Sequence, residues 1–418
     1  MPPPEARRSG PAPRVVRGAP GGGPALPGGG GAGDQIPPAA DFEAAAARLR
    51  EQVQAELSAE RAAADAAREN AVTGWDGPEV SYTEHPEAFE AAYQEALERR
   101  ARGEAPVPYL TENATGGLGA REGGRGFGVE IEFDFPPGAD SYTARAAIGR
   151  DLHEAGLTRD ALQHSYHMRG REEIILRGHQ GGWRFEADST VAGEIVSPVM
   201  YDEPETWRNL ARVCEIVRRH GGTASGRTGG HVHVGLADYD HTVENHNRLL
   251  QTVAGHEDTL YRLAQNPERA RHRGMTWCRP NSVPARGYAD ITSVRWSNNG
   301  HHTGLNFGAV AGGRSDHVEF RMWDGSLDPG VIQAHVNLSL GMTAAGSRGG
   351  YVPPPPAPAG SHRQRNPGRR RLRGEEWRQS TAGFRQLADT LFRREANAAQ
   401  AAALFAVTRW PSRRRTGT

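Results

Sequence analysis

The sequence predicts an α+β domain between residues 121 and 346, and three observations lead to this fold class. Short runs with an apolar residue at every second position occur at four places in the segment. Stretches with helical spacing separate these runs, and the flanking segments differ in composition. Because side chains alternate between the two faces of a strand, each run has one apolar face that can enter a core.

Shifts in composition predict where this domain begins and ends. Residues 1–40 are rich in Pro and Gly and are predicted to form a disordered leader. Residues 41–120 carry strong helix formers and then a Gly-rich linker, and residues 121–346 form the α+β domain. Residues 347–373 are predicted to be a Pro/Arg-rich linker, and residues 374–418 a C-terminal helix and tail.

Helical spacing of apolar residues predicts helices both between the β-type runs and outside them. The stretches with this spacing are 41–70, 86–103, 142–155, 205–220, 243–265, a helix after Pro329, and 375–408. Asp41 is a suitable N-cap for the first of these helices, and Gly221 and Gly222 follow the end of helix 205–220.

The four β-type runs are GVEIEF (128–133), WRFEAD (183–188), HVHV (231–234) and VEFR (318–321). Their second faces carry Glu130 and Glu132, Arg184 with Glu186 and Asp188, His231 and His233, and Glu319 with Arg321. A single run of this kind is usually an amphipathic strand with a solvated outer face. The recurrence of acids, imidazoles and guanidinium in one part of the chain favours a shared functional face.

If these strands share a sheet, the face gathers several carboxylates in one place. Two like charges about 4 Å apart repel by roughly 4 kcal/mol at an effective dielectric near 20. Some carboxylates must then be protonated, or cations must lie between them. Oxygen-rich ligation favours Mg²⁺ or Mn²⁺ over zinc, and Arg321 suits a phosphate or a developing phosphoryl charge.

Composition excludes several classes of site. The sequence contains no lysine, so a P-loop, a kinase-like site and Schiff-base chemistry are all excluded. Fifty basic and fifty acidic residues give a net charge of zero, and no nucleic-acid partner is expected. Two separated cysteines, no membrane-length apolar run and no signal-peptide pattern predict a soluble, cytoplasmic protein.

In their order along the chain, these motifs resemble the amidoligase family, a branch of the glutamine synthetase and glutamate–cysteine ligase superfamily. The matching motifs are FGVEIEFDF (127–135), FEADSTVAGEIVSPVM (185–200), GGHVHVGL (229–236), TGLNFGAV (303–310) and HVEFRMWDGSLDP (317–329). The resemblance implies a curved antiparallel sheet with an active-site funnel on its concave face and helices on the other face. It also implies an ATP-dependent ligase that joins a carboxylate to an amine through an acyl phosphate, with Mg²⁺ or Mn²⁺.

The resemblance further implies roles for individual residues. Glu130 would share one metal with His231 and Glu319, near the ATP phosphates. Glu132 would share another metal with Asp188 and Glu194, and Glu186 is the competing choice for Asp188. His233 would contact a nucleotide phosphate, Asn306 would orient substrate or nucleotide, and Arg321 would stabilise the transferring phosphoryl group. The residues expected in catalysis are Arg321, Glu132 and Glu319.

Two other functions stay open at this level. One is a ligase-shaped binding module without catalysis, and the predicted terminal helices suggest contact with a protein partner. The other is a metal-dependent hydrolase or oxygenase, because His-x-His also occurs in cupin-type barrels, with Asp238 as the substitute for the expected Glu ligand. The Gly-rich stretch 121–128 precedes a strand rather than a helix, so it is interpreted as a linker and not as a phosphate loop.

Overall fold

Six strands of the described residues form one antiparallel sheet, which confirms the predicted α+β class. The strands are β1 (Phe127–Phe133), β2 (Arg184–Glu186), β3 (Gly193–Val196), β4 (Gly229–Gly235), β5 (Leu305–Asn306) and β6 (His317–Asp324). Their order across the sheet is β2-β3-β1-β4-β6-β5, so the sheet is open rather than closed like a cupin barrel. The prediction lacked β3 and β5. In β3 the sequence GEIV places Glu194 and Val196 on one face, so polar and apolar residues do not alternate, and β5 has only two residues.

The structure is a computed structural model, and it describes residues 77–165, 182–237, 239, 242–267, 278–281, 283–284, 286–311, 316–349, 351–354 and 374–408. The predicted leader, the predicted helix at 41–70, Asp238 and most of the predicted linker 347–373 lie outside the described residues. The described residues all fall in one compact unit, Ala59–Thr418.

The described helices are α1 (Pro86–Ala101), α2 (Ser141–Glu154), α3 (Pro204–Arg219), α4 (Val243–Gly255), α5 (Glu257–Leu263), α6 (Ile291–Ser297), α7 (Gly308–Ala311), α8 (Pro329–Ser347), α9 (Gly374–Leu391) and α10 (Glu395–Val407). Four predicted helices correspond to α1, α2, α3 and α8 within a few residues. No described helix has both the length and the apolar character required to cross a membrane.

Two predicted helices are each interrupted, and tertiary contacts accompany both breaks. The predicted helix 243–265 is α4 followed by α5, and the break falls where Pro354 packs so close to Gly255 that a side chain there would collide with it. The predicted helix 375–408 is α9 followed by α10. In this second break, the carbonyl of Arg393 accepts a hydrogen bond from the amide of Glu79 at 2.7 Å instead of continuing a helix.

The apolar face of the sheet packs on helices, as the alternation of β1 predicts. Val129, Ile131 and Phe133 are at most 2 % exposed, and Phe127 stacks on Trp207 of α3 with ring centroids 5.4 Å apart. Helix α8 is buried along almost its whole length and contacts both β1 and β4. These contacts leave the opposite face of the sheet to carry the polar side chains.

A bulge in β6 changes the face on which its last residues project. Val232 lies opposite Phe320 and Gly230 opposite Trp323, so two steps along β4 correspond to three along β6. Trp323 therefore lies on the apolar side, where it stacks on His335 of α8 with ring centroids 4.5 Å apart. Because of the bulge, Glu319 and Arg321 project from the polar face of the sheet, whereas Trp323, near the end of β6, packs in the core.

Candidate active site

The polar faces of the strands meet in the register of the sheet. Residues directly opposite each other in antiparallel strands project to the same side, within reach of one another. The facing pairs are Glu186 with Glu194, Glu194 with Glu132, Glu130 with His231, His233 with Glu319, and Asn306 with Glu319. Every strand of the sheet therefore contributes a polar side chain to one face.

Three carboxylates form a row across β2, β3 and β1, and all three are buried. Glu186, Glu194 and Glu132 are 2, 3 and 4 % exposed. Burial, followed by the negative charges of Glu130, Glu132 and Asp188, raises the pKa of Glu194 to about 10. At neutral pH, Glu194 thus holds a proton unless a cation compensates the charge of the row.

Glu130 lies between the two histidines of β4. Its Oε2 is 2.5 Å from Nδ1 of His231, and its Oε1 is 2.9 Å from Nε2 of His233. Burial works against ionisation of Glu130, but the charge of His233 and the hydrogen bonds from both imidazoles hold its pKa well below the usual range. Burial likewise opposes the charged form of His233, and the charge of Glu130 overcomes it and raises the pKa of His233.

Glu319 and Arg321 lie side by side on β6, as their spacing predicts. Arg321 donates through Nη1 to Oε1 of Glu319 and through Nε to the carbonyl of His301 at 3.1 Å. Oε2 of Glu319 accepts a hydrogen bond from Nδ2 of Asn306 at 2.9 Å. Burial opposes ionisation of Glu319, but the charges of His233 and Arg321 outweigh it and lower its pKa.

Within the described part of the chain, two groups of side chains could hold a metal ion: Glu130 with His233 and Glu319, and Glu130 with Glu194 and His231. The ligand atoms in each group lie within 4.8 Å of one another. The sequence placed His231 rather than His233 with Glu130 and Glu319. His231 is also close to that group, because its Nδ1 lies 3.6 Å from Oε1 of Glu319.

The second predicted group, Glu132 with Asp188 and Glu194, is only partly brought together. Glu132 faces Glu194 across β1 and β3, and its Oε2 accepts a hydrogen bond from the amide of Gly229 at 2.6 Å. Asp188 lies after β2, where its Oδ1 accepts hydrogen bonds from the amides of Thr190 at 2.6 Å and Val191 at 3.1 Å. Glu186 is the residue that faces Glu194, so the sheet register favours the competing choice.

His317 is a site residue that the sequence reasoning missed. Its ring centroid is 5.0 Å from that of His233, and burial, followed by the charge of His233, lowers its pKa to about 4. His317 precedes Glu319 by two residues on the same strand. The alternation that identified Glu319 and Arg321 extends to this position and could have found it.

A comparison with protein families matches residues 124–285 to a model described as "Putative amidoligase enzyme". The match identifies this segment as amidoligase-like. It confirms the resemblance predicted from the motifs and supports a carboxylate–amine ligase in general terms. The amidoligase-like segment contains β1 to β4, whereas Glu319 and Arg321 follow it on β6.

Two similar solved structures are titled "GmaS/ADP complex-Conformation 1" and "Apo GmaS without ligand". They are 14 % and 16 % identical to this chain, with TM-scores of 0.36 and 0.34, and each match covers 72 % of both chains. No curated protein matches the chain.

Proposed function

We propose that this chain is an ATP- and Mg²⁺-dependent ligase that joins a carboxylate to an amine through an acyl phosphate. The observation that carries the proposal is the buried polar face on which Glu130 and Glu319 meet two imidazoles and the guanidinium of Arg321. The amidoligase-like match supports it. The curved sheet and funnel implied by the resemblance belong to the same proposal.

The donor chemistry of the face fits Mg²⁺ or Mn²⁺. Carboxylate oxygens dominate it, and hard divalent cations prefer oxygen ligands. Glu130 and Glu319 with a histidine of β4 would hold one ion. Glu194 would hold another, either with Glu130 and His231, which form the second group above, or with Glu132 and Glu186, which face it across the strands. When bound, such ions neutralise charge on the phosphates of a nucleotide.

The proposed reaction has two steps. A carboxylate oxygen of the acid substrate attacks the γ-phosphorus of ATP, the bond from phosphorus to the β–γ bridging oxygen breaks, and ADP leaves. The amine nitrogen then attacks the acyl carbon, phosphate leaves with the bonding electrons, and the proton on nitrogen passes to phosphate or solvent. Both steps develop charge on phosphoryl oxygens, which a preorganised cation stabilises.

Two side chains of β4 and β6 are oriented for these steps. Arg321 is held by Glu319 and by the carbonyl of His301, so its guanidinium does not need to reorganise when phosphoryl charge develops. The charge of Glu130 raises the pKa of His233 and so favours the protonated imidazole, which can donate a hydrogen bond to a nucleotide phosphate.

Binding of ATP should require a divalent cation, because the carboxylates of the face would otherwise repel the triphosphate. We expect calorimetry to detect ATP binding with Mg²⁺ or Mn²⁺ and to show its loss in excess chelator. ADP release should then appear with at least one acid and amine from a panel of amino acids, polyamines and cell-wall peptides. Equal ATP affinity with and without chelator would contradict the proposal, and binding without any ADP release would favour a binding module.

The choice of ligand between Glu186 and Asp188 can be tested with two matched variants. Glu186→Gln and Asp188→Asn each remove one negative charge close to Glu194. We expect Glu186→Gln to weaken Mn²⁺ binding by at least about tenfold, since even residues that only support a metal ligand contribute about 10–100-fold. We expect Asp188→Asn to weaken Mn²⁺ binding much less, because Asp188 accepts a hydrogen bond from the amide of Thr190 in the turn after β2. The reverse order in Mn²⁺ titrations would restore Asp188 as the ligand.

A further inference from the structure

Three buried asparagines form a series of hydrogen bonds that ends at Glu319. Asn281, Asn298 and Asn306 are 9, 0 and 7 % exposed. An amide side chain buried in this way needs hydrogen-bond partners on both its oxygen and its nitrogen. The partners of these three amides link the two-residue strand β5 to the candidate active site.

Asn306 is the asparagine that contacts the site directly. Its Nδ2 donates to Oε2 of Glu319 at 2.9 Å, and its Oδ1 accepts from the amide of Gly308 at 2.8 Å. Because the amide of Gly308 donates to the oxygen of the Asn306 side chain, the nitrogen of that side chain faces Glu319. Only this nitrogen can donate a hydrogen bond to the carboxylate. Arg321 occupies the other oxygen of Glu319, so each oxygen of this carboxylate has its own donor.

Asn281 and Asn298 hold the backbone that carries Asn306. The side chain of Asn281 pairs with the backbone of Leu305, donating to its carbonyl at 2.7 Å and accepting from its amide at 2.9 Å. Asn281 also donates to Oδ1 of Asn298 at 2.8 Å, and the carbonyl of Asn298 accepts from the amide of Phe307 at 2.7 Å. These bonds fix the residues on both sides of Asn306 at the outer edge of β5, where no other strand of the described residues pairs with it.

We propose that Asn306 is a positioning residue for Glu319, and that Asn281 and Asn298 hold it in register. The proposal rests on the proposed function, in which Glu319 is a metal ligand. A carboxylate whose second oxygen is fixed by an amide loses less rotamer freedom when it binds a cation, and such supporting contacts raise metal affinity.

The test compares Asn306→Ala and Asn281→Ala in the full chain, with Mn²⁺ as the probe. We expect Asn306→Ala to weaken Mn²⁺ binding by about 10–100-fold, the range found for residues that orient metal ligands. We expect Asn281→Ala to shift Mn²⁺ affinity in the same direction, although it does not contact Glu319. Turnover measured by ADP release should fall in parallel.

The control is Asn247→Ala. The side chain of Asn247 also pairs with a backbone, donating to the carbonyl of Tyr288 at 2.8 Å and accepting from its amide at 2.9 Å, but it lies on α4. The Asn247→Ala variant should lower the thermal midpoint to an extent similar to that of Asn306→Ala and Asn281→Ala, and it should leave Mn²⁺ affinity unchanged. If Asn306→Ala does not fold, Asn306→Leu removes the same bonds while keeping the volume of the side chain.

The outcomes separate this proposal from the proposed function. Wild-type protein that binds Mn²⁺ and Mg²⁺–ATP, with an Asn306→Ala variant of equal Mn²⁺ affinity, would overturn the positioning role and leave the ligase function standing. An equal loss of Mn²⁺ affinity in Asn247→Ala would also overturn it, because the effect would then be one of general stability. Wild-type protein without any Mn²⁺ binding would overturn both.

Discussion

Replacing Arg321 with alanine is expected to reduce ADP release by about a hundredfold or more, on the scale observed when one transition-state donor is removed. ATP affinity should change much less, because the guanidinium gains most from charge that develops as ADP leaves. Arg321→Lys is the sharper variant. It keeps the positive charge beside Glu319 but loses the planar fork that bonds both Glu319 and the carbonyl of His301.

We expect Arg321→Lys to bind Mg²⁺–ATP almost as the wild type does and still to turn over slowly. Glu319→Ala should lose both metal-dependent ATP binding and turnover. Arg212→Ala serves as the control, because Arg212 forms an exposed pair with Glu215 at 2.9 Å on the outer surface of α3. Full turnover in Arg321→Ala, measured by coupled ADP release, would show that the proposed mechanism is wrong even though the fold is right.

Removing residues 374–418 is expected to abolish cooperative folding of the whole described unit. Helices α9 and α10 place Phe384, Leu387, Leu404 and Phe405 in the common core, each with no exposed surface. Loss of a buried Phe or Leu side chain costs about 2–5 kcal/mol, and a typical domain has a total stability of about 5–15 kcal/mol. Several such losses together exceed the total stability of a typical domain.

A buried cation adds to this expectation. Arg262 on α5 is 1 % exposed and donates through Nη2 to the carbonyl of Phe405 at 2.6 Å and through Nη1 to Oγ of Ser380 at 3.1 Å. Its guanidinium carbon lies 3.3 Å from the centre of the Phe405 ring. Without α9 and α10, the Arg262 side chain would lose these hydrogen bonds and its contact with the Phe405 ring, which lowers stability further.

Thermal unfolding followed by circular dichroism checks this prediction. The truncated chain should show no cooperative transition, whereas deletion of residues 1–40, whose composition predicts disorder, should leave the midpoint nearly unchanged. A truncated chain that unfolds cooperatively at the wild-type temperature would show that the C-terminal helices are separable from the sheet.

Local periodicity was sufficient to predict which residues of β1, β4 and β6 share a face of the sheet. The alternation in β1 assigned Glu130 and Glu132 to one face and Val129 and Ile131 to the other, and the structure has the same division. The same rule placed His231 with His233 and Glu319 with Arg321. Side-chain direction along a strand depends only on the parity of sequence position, so it can be read without knowledge of neighbouring strands.

The sequence by itself therefore determined the α+β class, the face that carries the polar residues and the amidoligase resemblance. Only the tertiary structure decided which of these residues meet. Strand register placed Glu186 rather than Asp188 across from Glu194, and it set Asn306 against Glu319. Packing of Pro354 on Gly255 and the hydrogen bond from the amide of Glu79 to the carbonyl of Arg393 accompany the helix breaks that the sequence did not predict. These features depend on contacts between residues far apart in the chain, which local spacing cannot encode.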